Sequence, residues 1–171
     1  YPVQKKDEII KTMTEWLNNY DIAEEAHLYL WTINSYSAGY SRGLLDAVDV
    51  CRALGFKPIT NIVWTKPQSN PTPYGQRAVE LCLFGARWRK GMHREVMYKG
   101  TTNPECVANP GLVKSVDWFT ADRRDHSRKP DEFYNYVMSR SQGPYLELYS
   151  RTTHPGWNVV GNQTNKYKIG E

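Results

Sequence analysis

The sequence predicts an α/β fold, a mostly parallel twisted sheet flanked by helices, on three observations. Short β-rich runs alternate with longer stretches of helical spacing. One strand–helix–strand unit has a connection long enough for a crossover, which argues for parallel pairing of its strands. The composition, 40% hydrophobic and 23% charged over 171 residues, is ordinary for a globular chain. That length predicts one domain, residues 1–171, able to bury a single core.

The elements follow in order. Asp7 to Asn19 places Ile9, Ile10, Met13, Trp16 and Leu17 at helical spacing. His27 to Ile33 is a short β-rich run that reads as a buried strand, closed by Asn34-Ser35. Tyr40 to Leu54 is a second helix, with Leu44, Leu45, Val48, Cys51 and Leu54 on one face and Gly55 as its stop. Ile59 to Thr65 is the next strand and completes the crossover unit.

Lys66 to Gln76 holds three Pro, one Gly and several polar residues, and is expected to be an exposed loop. Loops of that length in compact domains are often functional. Ala78 to Ala86 reads as a strand, followed by a cationic patch, Arg87 to Lys90, around Trp88. From Gly91 to Thr120 the pattern weakens, with strands expected at Glu95–Lys99 and Val113–Val116. Lys129 to Arg140 is an amphipathic helix with Phe133, Tyr136 and Val137 on its buried side. Strands at Tyr145–Tyr149 and Asn158–Val160 close the chain.

The net charge is +4, from 22 Lys and Arg against 18 Asp and Glu, which mildly favours polyanionic partners. With 12 Tyr and 6 Trp, exposed rings could stack on bases, although most are expected in the core. Cys51, Cys82 and Cys106 are odd in number, widely spaced and without C-x-x-C spacing, which indicates neither a disulfide framework nor a zinc site and fits a reducing cytoplasm. No apolar run approaches the ~18 residues needed to span a bilayer. No phosphate-binding G-x-G-x-x-G or P-loop sequence occurs, which disfavours nicotinamide, flavin and nucleotide triphosphate chemistry. His27, Ser37 and Asp46 form no hydrolase pattern, and no G-x-S-x-G elbow is present.

Two constellations in the last third of the chain point to a ligand. His126-Ser-Arg-Lys129-Pro130-Asp131-Glu132-Phe133-Tyr134 puts a cation and a Pro at a loop-to-helix junction, where backbone N–H groups favour a carboxylate. Leu146-Glu147-Leu-Tyr-Ser-Arg151 puts an acid and a base four residues apart at the end of a strand, where open α/β sheets bind ligands, and Asn162-Gln163 follows Gly161. A ligand with a carboxylate, a ribose diol and an adenine edge would use all of these groups.

These stretches, with His27-Leu-Tyr-Leu-Trp31-Thr, Asn61-Ile-Val-Trp64-Thr-Lys66, Glu80-Leu-Cys-Leu-Phe-Gly85 and Pro155-Gly-Trp157, carry a resemblance. In order and spacing they resemble the adenine methyltransferase family that includes the catalytic subunit of the messenger RNA methyltransferase and many bacterial and phage DNA adenine methyltransferases. The resemblance runs from about His27 to Gln163 and is weakest over Gly91 to Thr120.

The resemblance implies a Rossmann-like methyltransferase fold, S-adenosyl-L-methionine as cofactor, and methyl transfer to the 6-amino group of adenine in nucleic acid. DNA is favoured over RNA, because the chain is more similar to the single-domain bacterial and phage members. It implies that Lys129 pairs with the methionine carboxylate, that Arg151 binds the ribose hydroxyls with Glu147 fixing its geometry, and that Asn162 and Gln163 hold the ribose and the adenine edge. His154 takes the adjacent cofactor position, in a stretch shorter here than in the messenger RNA enzyme. Lys66, Tyr74, Gln76 and Arg77 of the Pro-rich loop are expected to contact nucleic acid, as is Arg128.

The family's Asp-Pro-Pro-Trp motif, whose acceptors engage the adenine amine, does not occur in this chain. Its place is expected upstream of Tyr1, so that no catalytic residue lies within the chain. The alternative is a non-catalytic subunit that binds nucleic acid or supports a catalytic partner. A homo- or heterodimer through a methyltransferase-like partner is expected, in the cytoplasm, or the nucleus of a eukaryote.

Overall fold

The structure, a computed structural model, describes residues 4–33, 42–72, 75–88, 117–125 and 128–167. They fall into two compact units, one within Tyr1–Met92 and Val116–Arg123, the other within Arg124–Glu171. The strands expected at Glu95–Lys99 and Val113–Val116 lie outside the described residues, as does Cys106.

In the first unit, α1 (Lys6–Leu17) and α2 (Leu44–Ala53) accompany a four-stranded sheet of β1 (Ala26–Thr32), β2 (Lys57–Thr72), β3 (Gly75–Arg87) and β4 (Trp118–Thr120). At the start of α1 the Lys5 backbone N–H donates to Glu8 Oε2 at 2.9 Å, satisfying one of the donors that a helix start leaves open. Lys6 Nζ lies 3.0 Å from Asp49 Oδ2 and ties α1 to α2. The second helix ends as its Gly predicts: Gly55 takes φ +82, and the Phe56 N–H reaches back to Cys51 O at 3.0 Å. Ala47 and Cys51 of α2 pack with Phe56 and Leu83, and Leu28, Leu30, Leu44, Val48 and Leu54 join them. Leu45, expected on this face, is 54% exposed; Ala47 and Val50 are buried instead.

The sheet order is β1-β3-β2-β4, which corrects the expected direct parallel pairing of β1 with β2. Both strands run antiparallel to β3, so they point the same way with β3 between them. The physical reason lies in β3 itself. Its run from Ala78 to Ala86 is nearly continuous in apolar residues, the pattern of a strand covered on both faces, and Cys82, Leu83 and Ala86 are buried. The parallel pairing present in this sheet joins β2 to β4, with Val63 opposite Trp118 and Thr65 opposite Thr120. The fold is thus mixed α/β, with antiparallel pairs forming most of this sheet.

The Pro-rich stretch is a second correction. It was expected as a loop, yet β2 continues through Thr72 and β3 starts at Gly75, so Lys66 to Gln76 is mostly the end of a long hairpin. The ladder breaks between Thr65 and Asn70 and resumes with Asn70 opposite Arg77 and Pro71 opposite Gln76. Pro67 falls in the break and Pro71 lies beyond the stretch of β2 that pairs with β4. Pro is tolerated at such bulges and edges because no ladder hydrogen bond needs its missing N–H. Trp64, 1% exposed, anchors the base of the hairpin: its Nε1 donates to Ala121 O at 2.9 Å and its ring meets Trp31 edge-on at 6.0 Å.

The second unit holds α3 (Glu132–Arg140) and the strands β5 (Tyr145–Leu148) and β6 (Trp157–Val160). The helix begins three residues later than the expected Lys129, because the residue before a Pro is biased away from the helical region. Phe133, Tyr136 and Val137 form its buried face, as expected. The strands are parallel, with Glu147 opposite Val159, and residues 149–156 join them in a connection far shorter than a usual helical crossover. Tyr149 at φ +58 and Gly156 at φ +78 supply the two left-handed turns this requires. No helix among the described residues is long and apolar enough to cross a membrane.

Candidate functional site

The second unit gathers most of the residues that the sequence singled out. Glu147 sits on β5, and two hydroxyls converge on its Oε2, Tyr134 Oη of α3 at 3.0 Å and Ser150 Oγ at 2.8 Å. Ser150 is fully buried, and its Oγ also lies 2.6 Å from Thr152 O, so one proton serves two acceptors. Burial raises the Glu147 carboxyl above the usual carboxylate range, and the hydrogen bonds from Ser150 and Tyr134 oppose that shift only in part. Burial, with the Glu147 charge added, pushes the Tyr134 phenol far up, so Tyr134 stays a donor at any ordinary pH.

Aromatic rings hold this acid in place. The Tyr134 ring stacks on His154 with centroids 4.4 Å apart and meets Trp157 edge-on at 5.1 Å. Tyr145 stacks on the other partner, Trp157, at 4.8 Å. His154 is therefore placed beside the group that carries Glu147. The Trp157 Nε1 is buried without a hydrogen-bond partner among the described residues.

Gly161 explains how the next segment comes close. A Cβ there would lie 2.8 Å from Ser150 O and 3.0 Å from Ser150 N, so only Gly lets the chain leaving β6 pass the turn after β5. The Ser150 N–H bonds Val160 O at 3.0 Å just before that passage. Asn162 and Gln163 then line an open recess of about 330 Å³ together with Thr164, Asn165 and Lys166. Asn162 is exposed, whereas the Gln163 Oε1 is buried without a hydrogen-bond partner among the described residues. Buried amide oxygens are nearly always paired, so this one marks a position where a donor is expected.

The cations lie about one ring. Arg151 donates from Nη2 to Tyr167 Oη at 2.9 Å, and its Cζ stands 4.8 Å from the Tyr167 centroid. The Arg128 Cζ stands 4.7 Å from the same centroid, and its Nη2 is 3.7 Å from Asp131 Oδ2, which also takes Arg124 at 3.3 Å. Lys129 is half-buried directly ahead of α3.

In the first unit, Lys66 Nζ lies 2.5 Å from Glu80 Oε1 and 4.5 Å from the Trp64 ring centroid, so its charge is compensated within the hairpin. Gln76 and Arg77 fall on β3 opposite Pro71 and Asn70, and Tyr74 lies outside the described residues. Sequence reading missed Tyr134, Ser150 and Tyr167. Tyr134 stood inside the motif already singled out, but nothing in a one-dimensional pattern shows that its hydroxyl faces Glu147.

An acid on β5, an arginine in the turn after it and an amide pair after β6 lie in one unit of a mixed α/β fold. The chain belongs to the MT-A70 family, whose sequence profile matches residues 5–163. It is 31% identical over 120 residues to a protein of Arabidopsis thaliana named N(6)-adenosine-methyltransferase MT-A70-like, covering 67% of this chain and 16% of that protein. A probable N(6)-adenosine-methyltransferase MT-A70-like of Oryza sativa subsp. japonica is 30% identical over 118 residues, covering 67% of this chain and 15% of its own length. A putative one of Medicago truncatula is 29% identical, with 67% and 18% covered. The chain thus spans less than a fifth of the curated relatives it matches.

Proposed function

We propose that this chain carries the S-adenosylmethionine-binding part of a methyltransferase that acts on the 6-amino group of adenine in nucleic acid, on a Rossmann-like fold. The reading is supported by family membership and by the names of the relatives. The single observation that carries it is the buried Gln163 Oε1, without a hydrogen-bond partner among the described residues, on a residue that lines the recess with Asn162. An exocyclic amine or a ribose hydroxyl is the donor that such an oxygen lacks.

The donor set fits the cofactor. Asn162 and Gln163 would hold the ribose and the adenine edge, Arg151 the ribose hydroxyls, and Lys129 the methionine carboxylate. Glu147, held by Tyr134 and Ser150, fixes the turn from which Arg151 projects, and His154 completes that wall through its stack on Tyr134. When bound, S-adenosylmethionine supplies an electrophilic methyl group on a sulfonium. The chain's part is orientation: the adenine amine is a weak nucleophile, and placement in line with the methyl group carries most of the rate.

DNA is the polymer we favour, with Lys66, Gln76 and Arg77 of the hairpin, and separately Tyr74 and Arg128, as proposed contacts. The chain holds no Asp-Pro-Pro sequence, which favours a second reading, a subunit that binds cofactor or nucleic acid and supports a catalytic partner of the same family. Calorimetric titration of the chain with S-adenosylmethionine, beside methionine and adenosine alone, tests the proposal. Binding that Gln163→Ala weakens by about 1–3 kcal/mol is the expected result; no heat with S-adenosylmethionine, or equal binding by Gln163→Ala, sinks it.

A further inference from the structure

Tyr167 lies four residues past the end of the family match at 163. Four contacts bind it to the arginines. Its backbone N–H donates to Arg151 O at 3.0 Å, and it forms a parallel bridge with Thr152. Its hydroxyl accepts from Arg151 Nη2 at 2.9 Å, and its ring lies 4.8 Å from the Arg151 Cζ and 4.7 Å from the Arg128 Cζ. Lys166 Nζ, from the wall of the Asn162–Lys166 recess, is 5.5 Å from the same centroid.

One ring thus serves three cations, of which Asp131 offsets the Arg128 charge at 3.7 Å. A guanidinium held by its planar face and by one terminal N–H loses most of its freedom, while its remaining donors keep a fixed direction. A long side chain left to itself must lose that freedom when a ligand binds, and each such loss weakens affinity.

We propose that Tyr167 is the positioning residue for Arg151, presetting its guanidinium for the ribose hydroxyls of the cofactor; this rests on the S-adenosylmethionine reading above. Tyr167 does not touch the reacting atoms. The phenol contributes in two separable ways: the ring holds the plane of the guanidinium, and the hydroxyl fixes its rotation. Tyr167→Phe keeps the ring and removes the hydroxyl, so it keeps the packing while freeing the rotation. Tyr167→Leu removes both.

The test is a double-mutant cycle on the full 171-residue chain, read by calorimetric titration with S-adenosylmethionine, with thermal melts to confirm folding. Tyr167→Phe is expected to weaken binding by about tenfold with an unchanged melt, and Tyr167→Leu by more, as loss of a hydrogen bond to a charged group implies. Arg151→Ala weakens binding at least as much, and in that background Tyr167→Phe adds nothing, because the group it positions is gone. Parental affinity in Tyr167→Phe beside weak binding by Arg151→Ala overturns the proposal alone. Additive losses in the double variant overturn it too, since they show a direct or general structural role. Parental affinity in Arg151→Ala, or no binding by the parent chain, overturns the reading beneath it.

Discussion

The Tyr134 hydroxyl donates to Glu147 Oε2 at 3.0 Å, joining the first turn of α3 to the middle of β5. Glu147 lies one residue before the end of β5, from which the turn to Arg151 departs, so the bond holds the acid close to the strand end. Tyr134→Phe keeps the stack on His154 and the contact with Trp157 and removes only the donor. It leaves a buried carboxylate with one hydroxyl fewer, and the expected loss is about 1–3 kcal/mol of stability in urea unfolding. A variant as stable as the parent shows that this bond contributes nothing.

Glu147 has a raised folded pKa, with burial as the leading cause. Its folded form therefore holds a proton more tightly than the unfolded chain, and its contribution to stability is greatest below the unfolded value of 4.5 and lost as pH rises above it. Glu147→Gln is neutral throughout and keeps an acceptor for Tyr134. Raising the pH from about 4 to 7 should lower the melting temperature of the parent relative to Glu147→Gln. The opposite trend, with the parent gaining on the variant, means that the hydrogen bonds outweigh burial and that the carboxyl titrates below its unfolded value.

Gly161 and Gly85 make two close approaches of different kinds. At Gly161 the added Cβ meets backbone, Ser150 O at 2.8 Å, and backbone does not turn aside. At Gly85 it meets the Cys51 Sγ at 2.6 Å, a side chain that can be trimmed. Gly161→Ala should cost about 1–3 kcal/mol and also weaken S-adenosylmethionine binding, because Asn162 and Gln163 shift with it. Gly85→Ala should destabilise without touching cofactor affinity, and Cys51→Ala should restore part of the loss. Thermal melts and titrations of the four variants read this. Failure of Cys51→Ala to rescue Gly85→Ala would place the clash elsewhere.

Periodicity located the elements well where a single local rule governs them. The helices at Lys6–Leu17 and Leu44–Ala53 and the strands at Ala26–Thr32, Tyr145–Leu148 and Trp157–Val160 stand within a few residues of where spacing, Gly55 and the β-rich runs put them. What pattern could not give was partnership. Pro67 and Pro71 read as a loop because Pro lacks a ladder donor, but a register break and a strand edge need none, so the hairpin continues. Parallel pairing of β1 with β2 followed from their crossover, yet strand neighbours are chosen by burial, and β3 is the most apolar run. Glu147, Arg151, Asn162 and Gln163, which the resemblance drew together, all lie in the second unit. Tyr167 carried no signal, since a ring shared by Arg128 and Arg151 exists only after the chain has folded.

The chain of Tyr1 to Glu171 is expected to bind S-adenosylmethionine and to transfer no methyl group on its own. The cofactor-holding residues we assign, from Lys129 to Gln163, belong to its second unit. The adenine amine needs preorganised acceptors that draw out its lone pair, and no Asp-Pro-Pro sequence occurs in the chain to provide them. Loss of a single such group commonly costs about a hundredfold to a thousandfold in rate, and loss of the aromatic partner of an extruded base adds to that. Radiolabelled methyl transfer to adenine-containing DNA and RNA, assayed beside cofactor binding on the same preparation, separates the two steps. Binding without transfer is the expected outcome. Robust transfer to either polymer would show that acceptors within this chain engage the amine, and preference for RNA over DNA would reverse our choice of polymer.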